Sequence, residues 1–374
     1  MIIGYDAKRI VHNGTGLGSY GRTLVNDIAR VNPSLRLNLY APDKGRDDLR
    51  EQIITAPGLT FCYPKDCHLP LDKALWRSRG IVKDLKNDGV QLYHGLSGEL
   101  PWGIRKSGIR SIVTIHDLIF LRHPEFYNWI DTKIYTWKFR QTIREADHII
   151  AISECTKRDI MEFGHIGDDH ISVIYQSCSP RFKACPEGEQ EKIRLHYGLP
   201  QRFILNVGTI ERRKNILLAV KALTDLPDDL SLVIIGRHTN YTNEVLDNVN
   251  THGLNQRVFF LHGVPDEHLP ALYAQAEAFV YPSLYEGFGI PIIEAISSGL
   301  PVVACTGSCL EEAGGPDSLY VAPDDAEGMA AAIRQVLKGV PDREARIEHS
   351  RDYIRRFEGN DVASQVLDLY RSLL

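Results

Sequence analysis

Short apolar runs alternate with longer stretches of helical periodicity along almost the whole chain, and this alternation occurs in two successive sets. The first set of predicted strands comprises Met1–Tyr5, Leu35–Tyr40, Leu92–Tyr93, Ser111–Ile115, His148–Ile152 and Ile171–Ile174. The second set comprises Phe203–Val207, Leu230–Ile235, Val258–Leu261, Ala278–Val280, Pro301–Ala304 and Leu319–Val321. Strands that alternate with helices form parallel sheets. The pattern therefore predicts an α/β fold of two doubly wound, Rossmann-like parallel-sheet domains that face each other across a cleft.

The boundary between the two sets falls near residue 180, where Arg181–Glu191 is rich in charge and carries a proline and a cysteine. A chain of 374 residues has the length expected of two domains. We predict domains over residues 1–178 and 179–355, followed by a C-terminal helix over 356–374.

Composition excludes several classes of protein. The net charge of −5 argues against a nucleic-acid partner, because general nucleic-acid binders carry a basic balance. The sequence contains no run of about 18 apolar residues, so we expect no transmembrane helix. The charge at Asp6 leaves no room for the apolar region of a signal peptide. The seven cysteines include no Cys-x-x-Cys pair, which favours a reducing cytoplasm over disulfides or zinc.

The charge is unevenly distributed. Residues 1–170 contain 24 Lys and Arg against 21 Asp and Glu, and residues 71–144 contain 13 against 7, a local net charge of +6. Two interpretations stay open: an ordinary solvated surface, or a half of the protein that faces an anionic partner such as a lipid headgroup or a phosphate.

In open α/β sheets, ligands bind at the carboxyl ends of the strands, so the loops after the strands are examined for function. The first is the glycine-rich segment Gly14–Gly18, which we expect to be a loop before a helix. Glycines let backbone amides approach an anion, and the alternative is a plain flexible turn. The spacing Gly-x-Gly-x-Gly differs from the Gly-x-Gly-x-x-Gly of a dinucleotide site.

His116 and Asp117 follow the predicted strand Ser111–Ile115. At this position the His116 ring would reach a ligand in the cleft, and the alternative is a structural histidine that caps a helix. His94 is a similar, weaker candidate.

A second glycine turn, Gly208-Thr209-Ile210-Glu211-Arg212-Arg213-Lys214-Asn215, follows the first strand of the second set. Three consecutive cations at the start of a helix oppose the usual preference for acidic residues there. Because arginine binds phosphate bidentately and lysine acts as a point charge, this turn predicts a bound anion. The alternative is an exposed basic turn.

The segment Tyr285–Ala295 carries two glutamates eight residues apart, Glu286 and Glu294. Pro291 suits the first turn of a helix, which leaves Glu286 in the preceding loop and Glu294 one turn inside. Carboxylates accept paired hydrogen bonds from vicinal hydroxyls, as in a sugar or a ribose. The alternative is a helix with ordinary surface acids.

No Asp-x-Asp triplet occurs in the sequence. We therefore expect no metal and no other cofactor, with the charge of a departing diphosphate met by Arg213, Lys214 and backbone amides.

Together these motifs resemble retaining, two-domain glycosyltransferases of family 4, which have the GT-B architecture. The resemblance spans essentially the whole chain. The motifs that carry it are Tyr-Glu-Gly-Phe-Gly-Ile-Pro-x-x-Glu-Ala, Ser-Gly-Leu-Pro-Val-Val, Gly-Thr-x-x-x-Arg-Lys-Asn and the glycine-rich loop. Within the family the chain looks most like bacterial mannosyltransferases of polysaccharide assembly, on the basis of Asp6-Ala7-Lys8-Arg9, Thr15-Gly16-Leu17-Gly18, His116-Asp117-Leu118 and Gly208-Thr209.

The resemblance implies that the first domain binds the acceptor, that the second binds the nucleotide sugar, and that the C-terminal helix crosses back to the first domain. Implied catalytic residues are His116, Arg213, Lys214 and Glu286. Implied contacts to the nucleotide and its phosphates are Gly16, Leu17, Gly18, Gly208, Thr209, Arg213, Lys214, Val264, Gly289, Ile290 and Glu294. Implied sugar contacts are His116, Glu286, Gly287, Phe288 and Gly289.

The resemblance also implies a reaction and a place. We expect transfer of a hexose, with mannose and GDP-mannose favoured, to a saccharide or lipid-linked saccharide in polysaccharide or O-antigen-type assembly, in the cytoplasm and at the inner face of the plasma membrane. The sequence departs from many relatives at Thr209, where they carry a basic residue, and Arg212 is the candidate to compensate. The oligomeric state stays open.

The acceptor and its membrane are suggested by the stretch 129–140, which mixes aromatic and basic residues. Such residues suit a membrane interface, and the alternative is an amphipathic helix that packs its aromatics inward.

Four other functions stay open. One is a transferase that uses a UDP-sugar, and another is an epimerase or phosphorylase of the same architecture. The others are a nucleotide-sugar-binding subunit without catalysis and a dinucleotide-dependent oxidoreductase.

Overall fold

The computed structural model describes residues 1–65, 67, 69–176, 178–357 and 359–374. The chain divides into two compact units, the first formed by Met1–Gln176 with Gly359–Leu374 and the second by Ser177–Glu358. The sequence placed this division between residues 178 and 179. Each unit is built around its own parallel sheet, which confirms the predicted pair of doubly wound α/β domains.

The first unit contains a seven-stranded sheet in the order β3-β2-β1-β4-β5-β6-β7, and its paired strands are parallel. The strands are β1 (Ile2–Asp6), β2 (Arg36–Tyr40), β3 (Leu59–Cys62), β4 (Leu92–Gly95), β5 (Arg110–Ile115), β6 (His148–Ala151) and β7 (Ile171–Val173). Its central strands are buried on both faces, which explains why they read in the sequence as nearly continuous apolar runs.

Helices cover both faces of this sheet. They are α1 (Lys8–His12), α2 (Gly16–Val31), α3 (Asp47–Arg50), α4 (Pro70–Leu75), α5 (Ile81–Asn87), α6 (Ile119–Arg122), α7 (Trp129–Glu145) and α8 (Glu154–Gly164). A π-helical turn, Trp76–Gly80, joins α4 to α5.

The second unit contains a six-stranded parallel sheet in the order β10-β9-β8-β11-β12-β13. Its strands are β8 (Phe203–Val207), β9 (Ser231–Ile235), β10 (Val258–Leu261), β11 (Ala278–Tyr281), β12 (Val302–Cys305) and β13 (Leu319–Val321). Its helices are α9 (Glu187–Tyr197), α10 (Ile216–Ala222), α11 (Tyr241–Thr251), α12 (Leu269–Gln275), α13 (Ile290–Ser297), α14 (Leu310–Gly314), α15 (Ala326–Arg334) and α16 (Arg343–Ile354).

The last helix, α17 (Gly359–Leu373), returns to the first unit and packs on α2. Its apolar face, which includes Val366 and Leu367, is buried in the same core as β1 and β2. The hydroxyl of Tyr370 lies 2.6 Å from Nδ1 of the buried His94 on β4. The helix therefore contributes both apolar packing and a buried polar contact to the first unit.

Each sheet has a point at which the strand order reverses, between β1 and β4 in the first unit and between β8 and β11 in the second. Loops on either side of such a point diverge and leave a crevice at the carboxyl ends of the strands. The loops that follow β1, β4, β8 and β11 are therefore placed to hold ligands.

The structure differs from the sequence-based expectation in two places. Strand β3 (Leu59–Cys62) was not predicted, because it is short and only half-buried, so it lacks a distinct apolar run. Gly16 and Gly18 belong to the first turn of α2 rather than to a loop. Thr15 occupies the N-cap position of α2 in an extended conformation. Threonine is a favoured residue type at this position, so a helix can begin here even though the sequence is rich in glycine.

Most aromatic residues of helix α7 do not pack inward. Its buried residues are Phe139 and Thr142 alone, whereas Trp129 and Trp137 are 73% and 51% exposed. In the described parts of the chain, no helix combines the length and apolar character needed to span a membrane.

Candidate active site

The loops that follow β8 and β11 lie side by side because these two strands are neighbours in the sheet. The amide of Leu284 donates to the carbonyl of Arg213 at 2.8 Å, which joins the two loops directly. At the start of the β8 loop, Gly208 packs closely on Gly236, where a Cβ atom would lie 1.8 Å from the Gly208 carbonyl oxygen. This close approach sets the path of the β8 loop at the carboxyl edge of the sheet.

Glu286, in the β11 loop, pairs with two cations of the β8 loop. Arg213 Nη1 lies 2.8 Å from one carboxylate oxygen and Lys214 Nζ lies 2.6 Å from the other. Lys214 also donates to the hydroxyl of Tyr281 at 2.6 Å, and Arg213 donates to the carboxylate of Glu211 at 2.7 Å. The predicted catalytic residues of the second unit therefore form one hydrogen-bonded cluster.

Burial and charge act in opposite directions in this cluster. Burial opposes ionisation of Glu286, but Lys214 and Arg213 outweigh it and lower its pKa to about 2. Burial also opposes the charge on Lys214, and Glu286 reverses the effect and raises the Lys214 pKa above its usual value. All three groups are thus charged at neutral pH, and the cations are held where an anion can replace or share their contacts with Glu286.

The loop that carries Glu286 is held by a residue that the sequence did not single out. The thiol of Cys309 lies 3.1 Å from the carbonyl oxygen of Glu286 and 2.9 Å from that of Phe288. The Phe288 side chain is buried against Phe357, with ring centres 5.2 Å apart, so any contact it makes with a ligand is through its backbone. Gly289 has a φ of 114°, which favours glycine.

Glu294 lies one turn inside α13 and does not join the Glu286 cluster. Its carboxylate accepts a hydrogen bond from the hydroxyl of Tyr273 at 3.0 Å. Burial raises the pKa of Glu294 to about 7, because the nearest partners do not fully compensate the loss of water. The two glutamates therefore differ sharply in environment, one paired with cations and the other close to its titration point.

Two other predicted contacts lie apart from the cluster. Thr209 is half-buried next to Gly208. Arg212, proposed to compensate for the missing base at 209, instead pairs with Glu244 and lies over the ring of Tyr241 on α11, 5.2 Å from its centre. Arg212 is 68% exposed. The structure therefore places Arg212 away from Lys214. Arg212 does not supply the basic group that is missing at Thr209.

Val264 is half-buried in the loop after β10, the edge strand, at the same carboxyl edge of the sheet. Ile290 begins α13 directly after Gly289. Neither residue contacts Glu286 in the interactions described for this unit.

His116, in the first unit, follows β5 as predicted, and both of its ring nitrogens have partners. Nε2 lies 2.9 Å from the carbonyl oxygen of Leu96, so it carries the proton, and Nδ1 lies 2.9 Å from the side-chain amide of Gln176. Burial lowers the pKa of His116 to about 4. The edge of the ring meets Tyr20 at a centroid distance of 4.8 Å. His116 is therefore neutral, with its tautomer set by two neighbours.

His94 is fully buried and bonded to Thr114 Oγ1 at 2.8 Å and to Tyr370. Burial lowers its pKa to about 3. It is therefore a structural histidine of the core.

The glycines at the start of α2 have different surroundings. A Cβ atom at Gly18 would lie 1.8 Å from the Asn13 carbonyl oxygen, whereas one at Gly16 would meet nothing within 4 Å. Gly18 is required for packing, and Gly16 leaves the helix N-terminus open to an approaching anion. Leu17 and His116 line one cavity of about 270 Å³. The structure thus brings the glycine-rich turn and His116 to one place in the first unit.

Tyr281, Tyr273 and Gln176 are the functional candidates that sequence reasoning missed. Tyr281 had a usable signal, since it ends a strand at the carboxyl edge of the sheet. The other two are recognisable only from their contacts with Glu294 and His116.

Comparison with known families covers both units. Residues 18–180 match the family described as Glycosyltransferase Family 4, and residues 189–353 match the family described as Glycosyl transferases group 1. The chain is 29% identical over its whole length to the whole of the O-antigen chain mannosyltransferase B of Escherichia coli. It is also 29% identical to the O-antigen chain mannosyltransferase RfbU of Salmonella typhimurium, over 68% of this chain and 67% of that protein.

Solved structures share the fold at lower identity. Sucrose-phosphate synthase from Thermosynechococcus elongatus superposes with a TM-score of 0.80 at 22% identity, over 100% of this chain and 99% of that one. Anabaena HepE, in complex with UDP and glucose, superposes with a TM-score of 0.77 at 17% identity, over 100% and 99%.

Proposed function

The chain belongs to the glycosyltransferases, with a family 4 domain followed by a group 1 domain, and from this premise we propose that it transfers mannose from GDP-mannose with retention. The acceptor is a saccharide or a lipid-linked saccharide in polysaccharide or O-antigen-type assembly. The observation that carries the proposal is the Arg213–Glu286–Lys214 cluster at the reversal point of the second sheet. The preference for mannose is supported by the full-length relative named as a mannosyltransferase.

The chemistry follows from the charges in this cluster. The bond between the sugar C1 and the β-phosphate oxygen breaks, and its electron pair leaves with the diphosphate. Arg213 and Lys214 stabilise the negative charge that develops on that leaving group. The acceptor oxygen bonds to C1 on the face that the diphosphate vacates, and the acceptor proton passes to a donor phosphate oxygen.

Glu286 is a poor base for this reaction because its pKa is about 2 and both carboxylate oxygens are engaged by cations. We propose that it holds the sugar hydroxyls and orients Lys214, and that backbone amides of Gly287–Gly289 support the sugar and its phosphate. We propose that His116, in the first unit, contacts the transferred sugar as a neutral hydrogen-bonding group, since its pKa is about 4. A contact through Nδ1 requires the sugar to replace the amide of Gln176.

The experiment that tests the donor is a thermal-shift panel of GDP-mannose, GDP, UDP-glucose, UDP-N-acetylglucosamine and NAD, with no added metal. A ligand that binds only the folded state stabilises it by about 2.7 kcal/mol at 100 times its Kd. We expect a clear rise in Tm with GDP-mannose and GDP only. A rise confined to the uridine ligands would overturn the GDP-mannose assignment, and a rise with NAD alone would support the oxidoreductase alternative.

Retention and the need for an acceptor are tested by turnover. Nuclear magnetic resonance of the product should show the same anomeric configuration as the donor. Consumption of the donor should depend on an added saccharide, because conversion without an acceptor is the behaviour of an epimerase.

Glu294 predicts a pH dependence of donor binding. We propose that its carboxylate accepts hydrogen bonds from both ribose hydroxyls, which requires the ionised form. The pKa of about 7 means that the carboxyl is increasingly protonated as the pH falls below 7. Titration calorimetry should therefore show GDP-mannose binding about tenfold more weakly at pH 6 than at pH 8.

The matched control is Glu294→Gln, which removes the titration and keeps the shape of the side chain. Its GDP-mannose affinity should be lower than that of the native protein and nearly independent of pH. An equally steep pH dependence in Glu294→Gln would assign the effect to another group.

Membrane contact is the last part of the proposal. Trp129 and Ile130, 73% and 53% exposed, lie on α7 beside exposed Lys133, and the segment 71–144 carries a net charge of +6. Aromatic, aliphatic and basic residues together suit an anionic headgroup region. The protein should sediment together with phosphatidylglycerol vesicles at low salt, and the fraction that sediments should fall in Trp129→Ala. Equal recovery with phosphatidylcholine vesicles would contradict an electrostatic contact.

A further inference from the structure

The largest cavity described in the first unit is distinct from the one that His116 lines. Its volume is about 540 Å³, and it is lined by the ends of β1 and β4 together with residues of α4 and α7. Two contrasting sets of side chains form its walls, one charged and one aromatic. A cavity of this volume is in the size range of small-molecule binding sites, and nothing in the site described above uses it.

The charged residues of one wall are largely paired with one another. Arg77 donates to both carboxylate oxygens of Asp6 and also to Glu99, and Lys138 donates to Glu99 at 2.9 Å. Asp6 is 3% exposed, and the Arg77 side chain is 16% exposed. The other charged or titratable residues of the lining are Asp43, which pairs with Lys73 and His12, and Lys8. Since each carboxylate of this wall is paired with a cation or a histidine, the wall presents mainly hydrogen-bond donors and acceptors to a ligand.

The aromatic wall is exposed to solvent. Trp102 and Trp137 pack edge to face with ring centres 5.4 Å apart, and they are 39% and 51% exposed. Leu71 and Leu75, on α4, add exposed apolar surface to the same cavity. Large exposed aromatic side chains that line a cavity are typical of a binding surface.

The two cavities of the first unit are adjacent. Glu99 and Lys138 line both the 540 Å³ cavity and the smaller one formed by Leu17 and His116. The Lys138–Glu99 ion pair is therefore the boundary between them. A ligand that extended from His116 past this pair would reach Trp102 and Trp137.

We propose that the larger cavity binds the uncharged saccharide end of the acceptor. Sugar rings have apolar C–H faces and a rim of hydroxyls, which match the aromatic wall and the hydrogen-bonding groups of the charged wall respectively. Trp102 and Trp137 are then specificity-determining residues that select a glycan over a phosphorylated or purely lipid ligand. This inference rests on the proposed function, because it takes His116 to mark the transferred sugar.

The test compares Trp102→Ala and Trp137→Ala with Trp129→Ala, which removes an exposed tryptophan of α7, the helix of Trp137, outside the cavity. The probes are α-linked mannotriose, maltotriose, chitotriose and mannose 6-phosphate, titrated without donor by saturation-transfer resonance and tryptophan fluorescence. We expect at least one neutral trisaccharide to bind the native protein. Its Kd should rise about tenfold or more in Trp102→Ala and Trp137→Ala and stay within about twofold in Trp129→Ala.

The outcomes separate the alternatives. If no neutral trisaccharide binds at millimolar concentration, or if mannose 6-phosphate binds more tightly, the assignment is overturned. If all three variants lose vesicle binding to the same extent and none of them loses saccharide binding, the tryptophans contact lipid instead. Thermal shifts with GDP-mannose check the donor separately, since saccharide binding without any donor response would uphold the cavity and reject the proposed donor. Unchanged melting curves of the variants, whose tryptophans are exposed, show that they fold.

Discussion

Replacing Lys214 with alanine should lower the turnover of the proposed mannosyl transfer by about 10²–10³-fold, the usual cost of losing one group that stabilises developing charge in a transition state. Lys214 Nζ contacts Glu286 and Tyr281 at 2.6 Å each. The change removes a cation from the leaving group and leaves Glu286 with Arg213 alone. Initial rates of GDP release at saturating GDP-mannose and acceptor measure the effect.

Arg212→Ala is the matched control, because it removes a cation two residues away that is exposed and paired with Glu244. Its turnover should stay within about twofold of the native value, since exposed ion pairs contribute little. Equal losses in Arg212→Ala and Lys214→Ala would mean that the general charge of the loop, rather than the Lys214 position, is what matters.

Replacing Leu367 with alanine should lower the free energy of unfolding of the first unit by about 2–5 kcal/mol, the range for a buried leucine that leaves a cavity. Leu367 is 1% exposed and lies on α17, in the same core as β1 and β2. Because the helix belongs to the first unit although it ends the chain, the loss should appear in that unit. Urea unfolding followed by near- and far-ultraviolet circular dichroism measures it.

Gln365→Ala supplies the comparison, since Gln365 is an exposed residue of the same helix, and its effect should be within about 0.5 kcal/mol. A Leu367→Ala protein that unfolds like Gln365→Ala would show that α17 contributes little to the first unit.

Much of the fold could be predicted from the sequence because most strands are compact apolar runs, and the central ones are buried on both faces. Phe203–Val207, Val258–Leu261 and Leu319–Val321 were predicted with the boundaries that the structure shows, since each is a compact apolar run. Strand β3 was not predicted because Thr60 interrupts its four residues, so they produce no such run. The start of α2 was misplaced because glycines suggest a loop, whereas here the amides of Gly18 and Ser19 donate to the carbonyl of Thr15 and form the first helical turn.

The candidate site could be predicted only as separate pieces. The loops with Lys214 and Glu286 were recognised by their charge and glycine content, but no feature of the sequence indicated a partner for either residue. Arg212 and Arg213 are adjacent in the chain, and nothing in their order indicates that one meets Glu244 and the other Glu286. No feature of the sequence marked Gln176 as a functional residue, and only its contact with His116 identifies it as one.

The sequence by itself determined the class of fold, the two sets of strands and the loops that carry charge and glycine, because burial on both faces of a parallel sheet is recorded directly as apolar periodicity. Only the tertiary structure decided which side chains meet. Strand order places β8 beside β11 and so joins Lys214 to Glu286, and the path of α7 places Trp137 against Trp102. Periodicity reports that a face is buried, whereas the partner of a side chain depends on which strands become neighbours and on the direction in which each loop leaves them.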